Sequence, residues 1–282
     1  MESIRQAIER AKAGDTARVD NELADVRIQT DLSEVRIQAD LPNEAIPAYE
    51  AETRFNQIEL NNKVLQASRI ISHDPRDRRS RWFDILRAQV LRSMDLKGWQ
   101  FLGVISPTAG CGKTVTAINL AISIARQPER AALLVDMDLR KPEVAGRLGM
   151  RCDRGLVDIL EGRTKLRDTM VQARIGSQQF MVLPAERPIA NSSEWLASPA
   201  MITMLNALRR EFRSHTVVFD LPPMLVSDDV MTILPQLDCV LMVAAAGVST
   251  VAQINECNRH LHSHDVVRFV LNKVAAPPVE YY

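Results

Sequence analysis

Cysteine is scarce in this chain: Cys111, Cys152, Cys239 and Cys257 are its only four, widely spaced and never in a Cys-x-x-Cys pair. A disulfide framework and a cysteine-based zinc site are therefore excluded, and with no secretory leader a reducing cytoplasm is the expected compartment. Charge of one sign is also missing, because Lys plus Arg equals Asp plus Glu at 35 each, so no global field favours nucleic acid and none is expected as a partner. Long hydrophobic runs are absent too. The longest, Cys239 to Val248, falls far short of the roughly 20 residues that cross a bilayer. Tyrosine numbers only three, two of them in the last residues. What is abundant is ordinary core material, since 46% of the 282 residues are hydrophobic, enough for one large α/β domain or two small ones.

The pattern of residues divides the chain. Ile4, Ala7, Ile8 and Ala11 stand at helical spacing and Gly14-Asp15 ends the pattern, so residues 1–14 are expected as an amphipathic helix. It is too short to stand alone, and either docks on its own domain or binds a partner. Residues 15–59 contain a near-repeat, Asp25-Val-Arg-Ile-Gln-Thr-Asp-Leu32 echoed by Glu34-Val-Arg-Ile-Gln-Ala-Asp-Leu41. Flanked by Pro42 and Pro47, this stretch reads as a poorly ordered linker, the alternative being two short strands. Residues 60–276 then alternate strand-like and helix-like segments. Strands are expected at Trp99 to Ile105, Ala131 to Asp136, Phe180 to Leu183, Thr216 to Asp220, Cys239 to Ala245 and Val266 to Leu271. Their near-continuous apolar character predicts an α/β fold with a mostly parallel sheet and helices on both faces. Ligands in such folds lie at the carboxyl ends of strands. Residues 277–282 form a short tail.

One loop falls there. Ser106-Pro-Thr-Ala-Gly-Cys-Gly-Lys-Thr114 follows an apolar strand and precedes a helical stretch, the setting of a phosphate-binding loop. Gly110 and Gly112 let backbone N–H groups turn toward phosphate oxygens, Lys113 supplies charge, and the Thr114 hydroxyl suits magnesium. Pro107 occupies the place of the usual first glycine, and alone such a loop also suits an ordinary strand-to-helix turn. A second strand ends in Asp136-Met-Asp138-Leu-Arg140, with two carboxylates able to serve magnesium or accept a proton, or simply to solvate a strand end. A third, Val217-Val-Phe-Asp220-Leu-Pro-Pro223, ends in a lone carboxylate of the magnesium-holding type.

In this order the three segments resemble the bacterial tyrosine kinases (BY-kinases) of capsule and exopolysaccharide synthesis, over roughly Leu60 to the C-terminus. In that family Pro107 is usual, and the Asp-x-Asp-x-Arg spacing separates it from partitioning and septum-site ATPases, which typically carry lysine where this chain has Thr108. The resemblance implies a P-loop NTPase fold, with ATP and Mg2+ as cofactors and phosphoryl transfer to tyrosine. It implies nucleotide contacts from Thr108, Ala109, Gly110, Cys111, Gly112, Lys113, Thr114 and Thr116, with Asn272 near the adenine. Thr114, Asp138 and Asp220 would hold magnesium, and Lys113, Asp136, Asp138 and Arg140 would carry the catalysis. Tyr281 and Tyr282 become the candidate acceptors. It further implies a homo-oligomer and a membrane activator of the chain-length-determinant type, which would recruit this cytoplasmic chain to the inner face of the plasma membrane. Regulation of polysaccharide polymerisation or export would be the output.

The chain departs from the family on the helix before the first motif. Where relatives place Glu-x-x-Arg-x-x-Arg for ring contacts, Arg81 and Asp84 exchange the charges ahead of Arg87, which puts the ring in doubt. Cys111 stands where glutamate is common; a thiol beside a helix N-terminus and Lys113 is a candidate for oxidation, against the plainer reading that it points away. His260, His262 and His264 read as surface residues, and Arg76, Arg78, Arg79 and Arg81 as a solvated basic stretch. The rival readings are a partitioning-type ATPase and a nucleotide-binding scaffold with little catalysis.

Overall fold

The computed structural model describes residues 55–262 and 264–274. The expected helix over 1–14, nearly all of the linker and the tyrosine tail lie outside the described residues. Within them, eight strands form one sheet in the order β1-β4-β5-β3-β6-β2-β7-β8. They are β1 (Asn56–Glu59), β2 (Phe101–Ile105), β3 (Ala131–Asp136), β4 (Val171–Ile175), β5 (Gln178–Leu183), β6 (His215–Asp220), β7 (Cys239–Ala245) and β8 (Val266–Asn272). All neighbours run parallel except β4 and β5.

Sequence dictates the layering through alternation. Leu133 and Val135 of β3 enter one apolar core while Ala132 and Leu134 enter the other. Every residue of β2 and β7 is buried, which explains their unbroken apolar runs. One face is covered by α1 (Asn62–Ala67), α2 (Ser80–Lys97), α3 (Lys113–Ala125) and α4 (Val144–Leu148). The other carries α5 (Leu156–Leu160), α6 (Leu166–Thr169), α7 (Ser192–Leu196), α8 (Pro199–Glu211), α9 (Asp229–Ile233) and α10 (Val251–His260).

Two strands were not expected. β4 pairs with β5 as an antiparallel hairpin across Gly176-Ser177, with Gly176 at φ 57°; the glycine there and the alternating burial of Val171, Ala173 and Ile175 are the signals that identify it. β1 has only Ile58 as an apolar residue and forms because β4 offers an open edge, with Leu60 N–H closing on the Arg174 carbonyl at 2.8 Å. The folded region therefore begins ahead of residue 60, and the expected linker boundary at 59 is set too late.

Two polar bolts lock the flanking segments to α3. Asn119 is fully buried; its Oδ1 accepts from the Ile71 and Ser72 N–H groups at 2.8 and 2.9 Å, and its Nδ2 donates to the carbonyls of Arg69 and Val115. Asp84 of α2 accepts from Arg87, Ser123 and Arg126 at 3.0, 2.8 and 3.1 Å. Of the exchanged charges on α2, Asp84 thus serves contacts within the chain, tying α2 to α3. Nearby, Arg76 and Arg79 pair locally with Asp74 and Asp77.

Candidate nucleotide site

The loop from Ser106 to Gly112 joins β2 to α3 at the carboxyl edge of the sheet. Gly110 and Gly112 adopt φ of 79° and 91°, a region that side-chain-bearing residues rarely enter. At Gly112 a Cβ would come within 2.2 Å of Asn272 Nδ2, so only glycine fits there. Ser106 Oγ donates to the Thr108 carbonyl at 2.9 Å, and the carbonyls of Ser106 and Pro107 accept from the N–H groups of Met224 and Leu225. Ala109 and Gly110 are exposed at the tip, whereas Lys113, Thr114 and Thr116 are buried in the first turn of α3.

Two carboxylates converge on one cation, with a third, Asp136, close by. Lys113 Nζ lies 2.9 Å from Asp138 Oδ2 and 3.4 Å from Asp220 Oδ1. Burial alone would lower the lysine pKa, but the Asp220 and Asp138 carboxylates outweigh it and raise it, so the side chain is held as an ammonium. Burial and the neighbouring Asp220 charge push Asp136 well above the usual carboxylate range. Burial also raises Asp220, against the pull of Lys113. Asp136 spends its oxygens on the backbone, accepting from Val144 N–H at 3.0 Å and Asp138 N–H at 3.3 Å. It shapes the turn that presents Asp138.

These residues fit a nucleotide with a divalent cation. Asp220 Oδ2 is buried without a hydrogen-bond partner, an orphaned acceptor at the centre of the site. Among the described residues no three His, Cys, Asp or Glu side chains cluster as a complete metal cage. Magnesium does not need one, because it commonly takes one or two carboxylates and completes its shell with water and phosphate.

The other expected residues have partners that the sequence did not show. Asn272, expected near the adenine, ties its amide to the loop through Nδ2, which donates to the Cys111 carbonyl at 2.9 Å, while its Oδ1 accepts from the N–H of the next residue, Lys273. The reason is that β8 ends beside the phosphate loop. The Arg140 guanidinium is engaged by Asp229 through Nε at 3.0 Å and Nη2 at 3.3 Å. Cys111 is 1% exposed, with its Sγ 3.4 Å from Ser249 Oγ, so the plainer reading of its side chain fits. His260 lies 3.4 Å from Glu256 on the surface of α10. Among the described residues no helix is long and apolar enough to cross a membrane.

A glycine loop at a strand-to-helix junction, facing carboxylates from two neighbouring parallel strands, defines a P-loop nucleotide-binding domain. The chain belongs to the CobQ/CobB/MinD/ParA nucleotide binding domain family, whose model matches residues 102–280. Within it, the chain is 29% identical over 198 residues to EpsB of Ralstonia nicotianae, assigned as a tyrosine-protein kinase, a match covering 70% of this chain and 26% of EpsB. The chain thus spans about a quarter of the length of that relative. The solved kinase domain of the Escherichia coli tyrosine kinase ETK superposes with a TM-score of 0.56 at 25% identity, covering 64% of this chain and 71% of that one. The chromosome-partitioning ATPase Soj of Thermus thermophilus is 35% identical over 141 residues, 50% of this chain and 49% of Soj. The resemblance to bacterial tyrosine kinases drawn from the three motifs is borne out by these relatives.

Proposed function

We propose that this chain is an ATP- and Mg2+-dependent protein-tyrosine autokinase that regulates capsular or exopolysaccharide polymerisation or export. The observation that carries the reading is the buried Lys113 ammonium bridging Asp138 and Asp220 beneath a phosphate-type loop, with one Asp220 oxygen left unpartnered. Bound Mg-ATP would supply the transferable phosphoryl group and the charge that draws the carboxylates together. Lys113 would turn to the outer phosphates, and Thr114, Asp138 and Asp220 would hold the metal with its water. Asp136, Asp138 and Arg140 are the candidates for organising the incoming tyrosine hydroxyl. Positioning and charge stabilisation contribute more to such a transfer than a strong base does. Tyr281 and Tyr282 are the proposed acceptors. A membrane protein of the chain-length-determinant type is the proposed activator, holding the chain at the inner face of the plasma membrane, and a homo-oligomer is the proposed assembly.

The test is incubation with labelled ATP and Mg2+, with and without the activator's cytoplasmic segment, followed by phosphotyrosine detection. Label at Tyr281 or Tyr282, absent in Lys113→Met, is the expected result. The likeness to Soj supports a second reading, an ATPase whose output is nucleotide-driven assembly; Thr108, in place of that class's lysine, speaks against it. Hydrolysis with no phosphotyrosine under any condition would favour the second reading.

A further inference from the structure

Three loops leave the carboxyl edge around the site, after β3, β5 and β6, and one side chain ties all three. Asp229, at the start of α9 in the loop after β6, is fully buried. Its Oδ2 accepts from Arg140 Nε at 3.0 Å and from Ser192 Oγ at 2.8 Å, and its Oδ1 accepts from Arg140 Nη2 at 3.3 Å. Arg140 belongs to the loop after β3, and Ser192 starts α7 in the connection after β5. A further bond joins those two loops, from Ile189 N–H to the Leu139 carbonyl at 2.8 Å.

Asp138 stands inside this frame. On one side Met137 N–H donates to the Asp220 carbonyl at 2.9 Å, continuing the ladder between β3 and β6. On the other, Leu139 and Arg140 are held by the Ile189 N–H and by Asp229. Asp220, nine residues ahead of Asp229, sits at the root of the same loop. A planar guanidinium held through two nitrogens fixes orientation as well as distance. We infer that Asp229 is a positioning residue, which acts through Arg140 to set Asp138 against Lys113 and Asp220, and that Arg140 serves the site from this anchored position.

The inference rests on the nucleotide-site reading above, and its test separates the two. ADP affinity is measured with and without Mg2+, together with ATP turnover, for the wild type, Asp229→Asn, Arg140→Ala and the double variant. Asp229→Asn keeps the size of the side chain and an acceptor for Ser192, so it is the variant least prone to misfold. It is expected to lose about ten-fold in the magnesium-dependent gain of ADP affinity and about ten- to a hundred-fold in turnover, with metal-free ADP binding unchanged. The double variant is expected to match Arg140→Ala, because two residues acting as one unit are not additive. A full magnesium gain in Asp229→Asn, or losses that multiply in the double variant, overturns the inference. If the wild type gains affinity with magnesium but phosphorylates no tyrosine, the kinase reading fails, while the binding data still decide the role of Asp229.

Discussion

The two ends of one sheet treat their carboxylates in opposite ways. At the amino edge, Asp238 ahead of β7 accepts from the N–H groups of Gln100 and Phe101 at 2.8 and 2.7 Å and from the Arg209 guanidinium at 2.9 and 3.1 Å. Burial would raise its pKa, but Arg209 and the two backbone donors prevail and lower it. Arg209 also lies over the Phe101 ring at 3.8 Å. At the carboxyl edge, Asp138 and Asp220 share one ammonium beside Asp136, Asp220 keeps an orphaned oxygen, and Asp136 and Asp220 are raised. Residue type does not separate these places. Burial and the number of donors per carboxylate do: Asp238 is half-buried and accepts four hydrogen bonds, whereas Asp136 and Asp220 are fully buried with fewer, and that edge is the one ready for a cation.

The largest break in that contrast is Lys113→Met. With the cation that pairs Asp138 and Asp220 gone, the carboxyl edge is expected to lose about a thousand-fold in phosphoryl transfer, roughly 4 kcal/mol of transition-state stabilisation. Steady-state turnover checks this, and a loss below about ten-fold would remove Lys113 from the reacting centre.

That edge was largely legible in the sequence, because Lys113, Asp138 and Asp220 each sit at the end of an apolar strand or in the loop just after one. In a parallel sheet, strand ends are neighbours in space. The central strands were legible for the same reason, with β3 and β7 found at their expected bounds. Asp229 and Ser192 were not. They lie in the loops after β6 and β5, and only the folded arrangement shows that Arg140 is their common partner. β1 was hidden because its formation depends on the edge of β4, and the bond from Asn272 to Cys111 was hidden because the meeting of β8 with the phosphate loop is tertiary.

The next effect lies at the amino edge and should leave chemistry alone. Asp238→Ala strips the partner from two backbone N–H groups and from Arg209, which is expected to cost about 3 kcal/mol of stability. Urea unfolding measures that cost, with turnover of the folded fraction expected within about two-fold of wild type. A large fall in turnover at unchanged stability would mean that the two edges are coupled.

His215, at the amino end of β6, gives the contrast a pH dependence. Burial lowers its pKa from 6.5 to about 4, so the folded chain holds it neutral, with its ring edge-on to Phe212 at 5.2 Å. The unfolded chain binds the proton first as pH falls. Stability is therefore full above about pH 6.5, declines down to about pH 4 and levels off below, a loss of at most about 3 kcal/mol. Denaturant midpoints across that range should fall in the wild type and fall less in His215→Phe.

The smallest effect on stability has the opposite sign from the rest. Asp220→Asn keeps the shape of the side chain and an acceptor toward Lys113, while it removes one negative charge from a buried cluster of like charges. Because the folded-state pKa of Asp220 is raised, the wild type gives up stability as pH climbs through the ordinary carboxylate range toward that raised value. The variant escapes this loss. Its nucleotide-free form is expected to be about 1 kcal/mol more stable than wild type at pH 8, with the difference shrinking in acid, while magnesium-dependent turnover falls at least about a hundred-fold. Thermal unfolding at pH 8 and pH 5 without nucleotide reads both the sign and the trend. A lower Tm at pH 8 would mean that attraction between Asp220 and Lys113 exceeds the repulsion from Asp136 and Asp138. The carboxyl edge would then be as well paired as the amino edge, and its orphaned oxygen would no longer mark a place waiting for a cation.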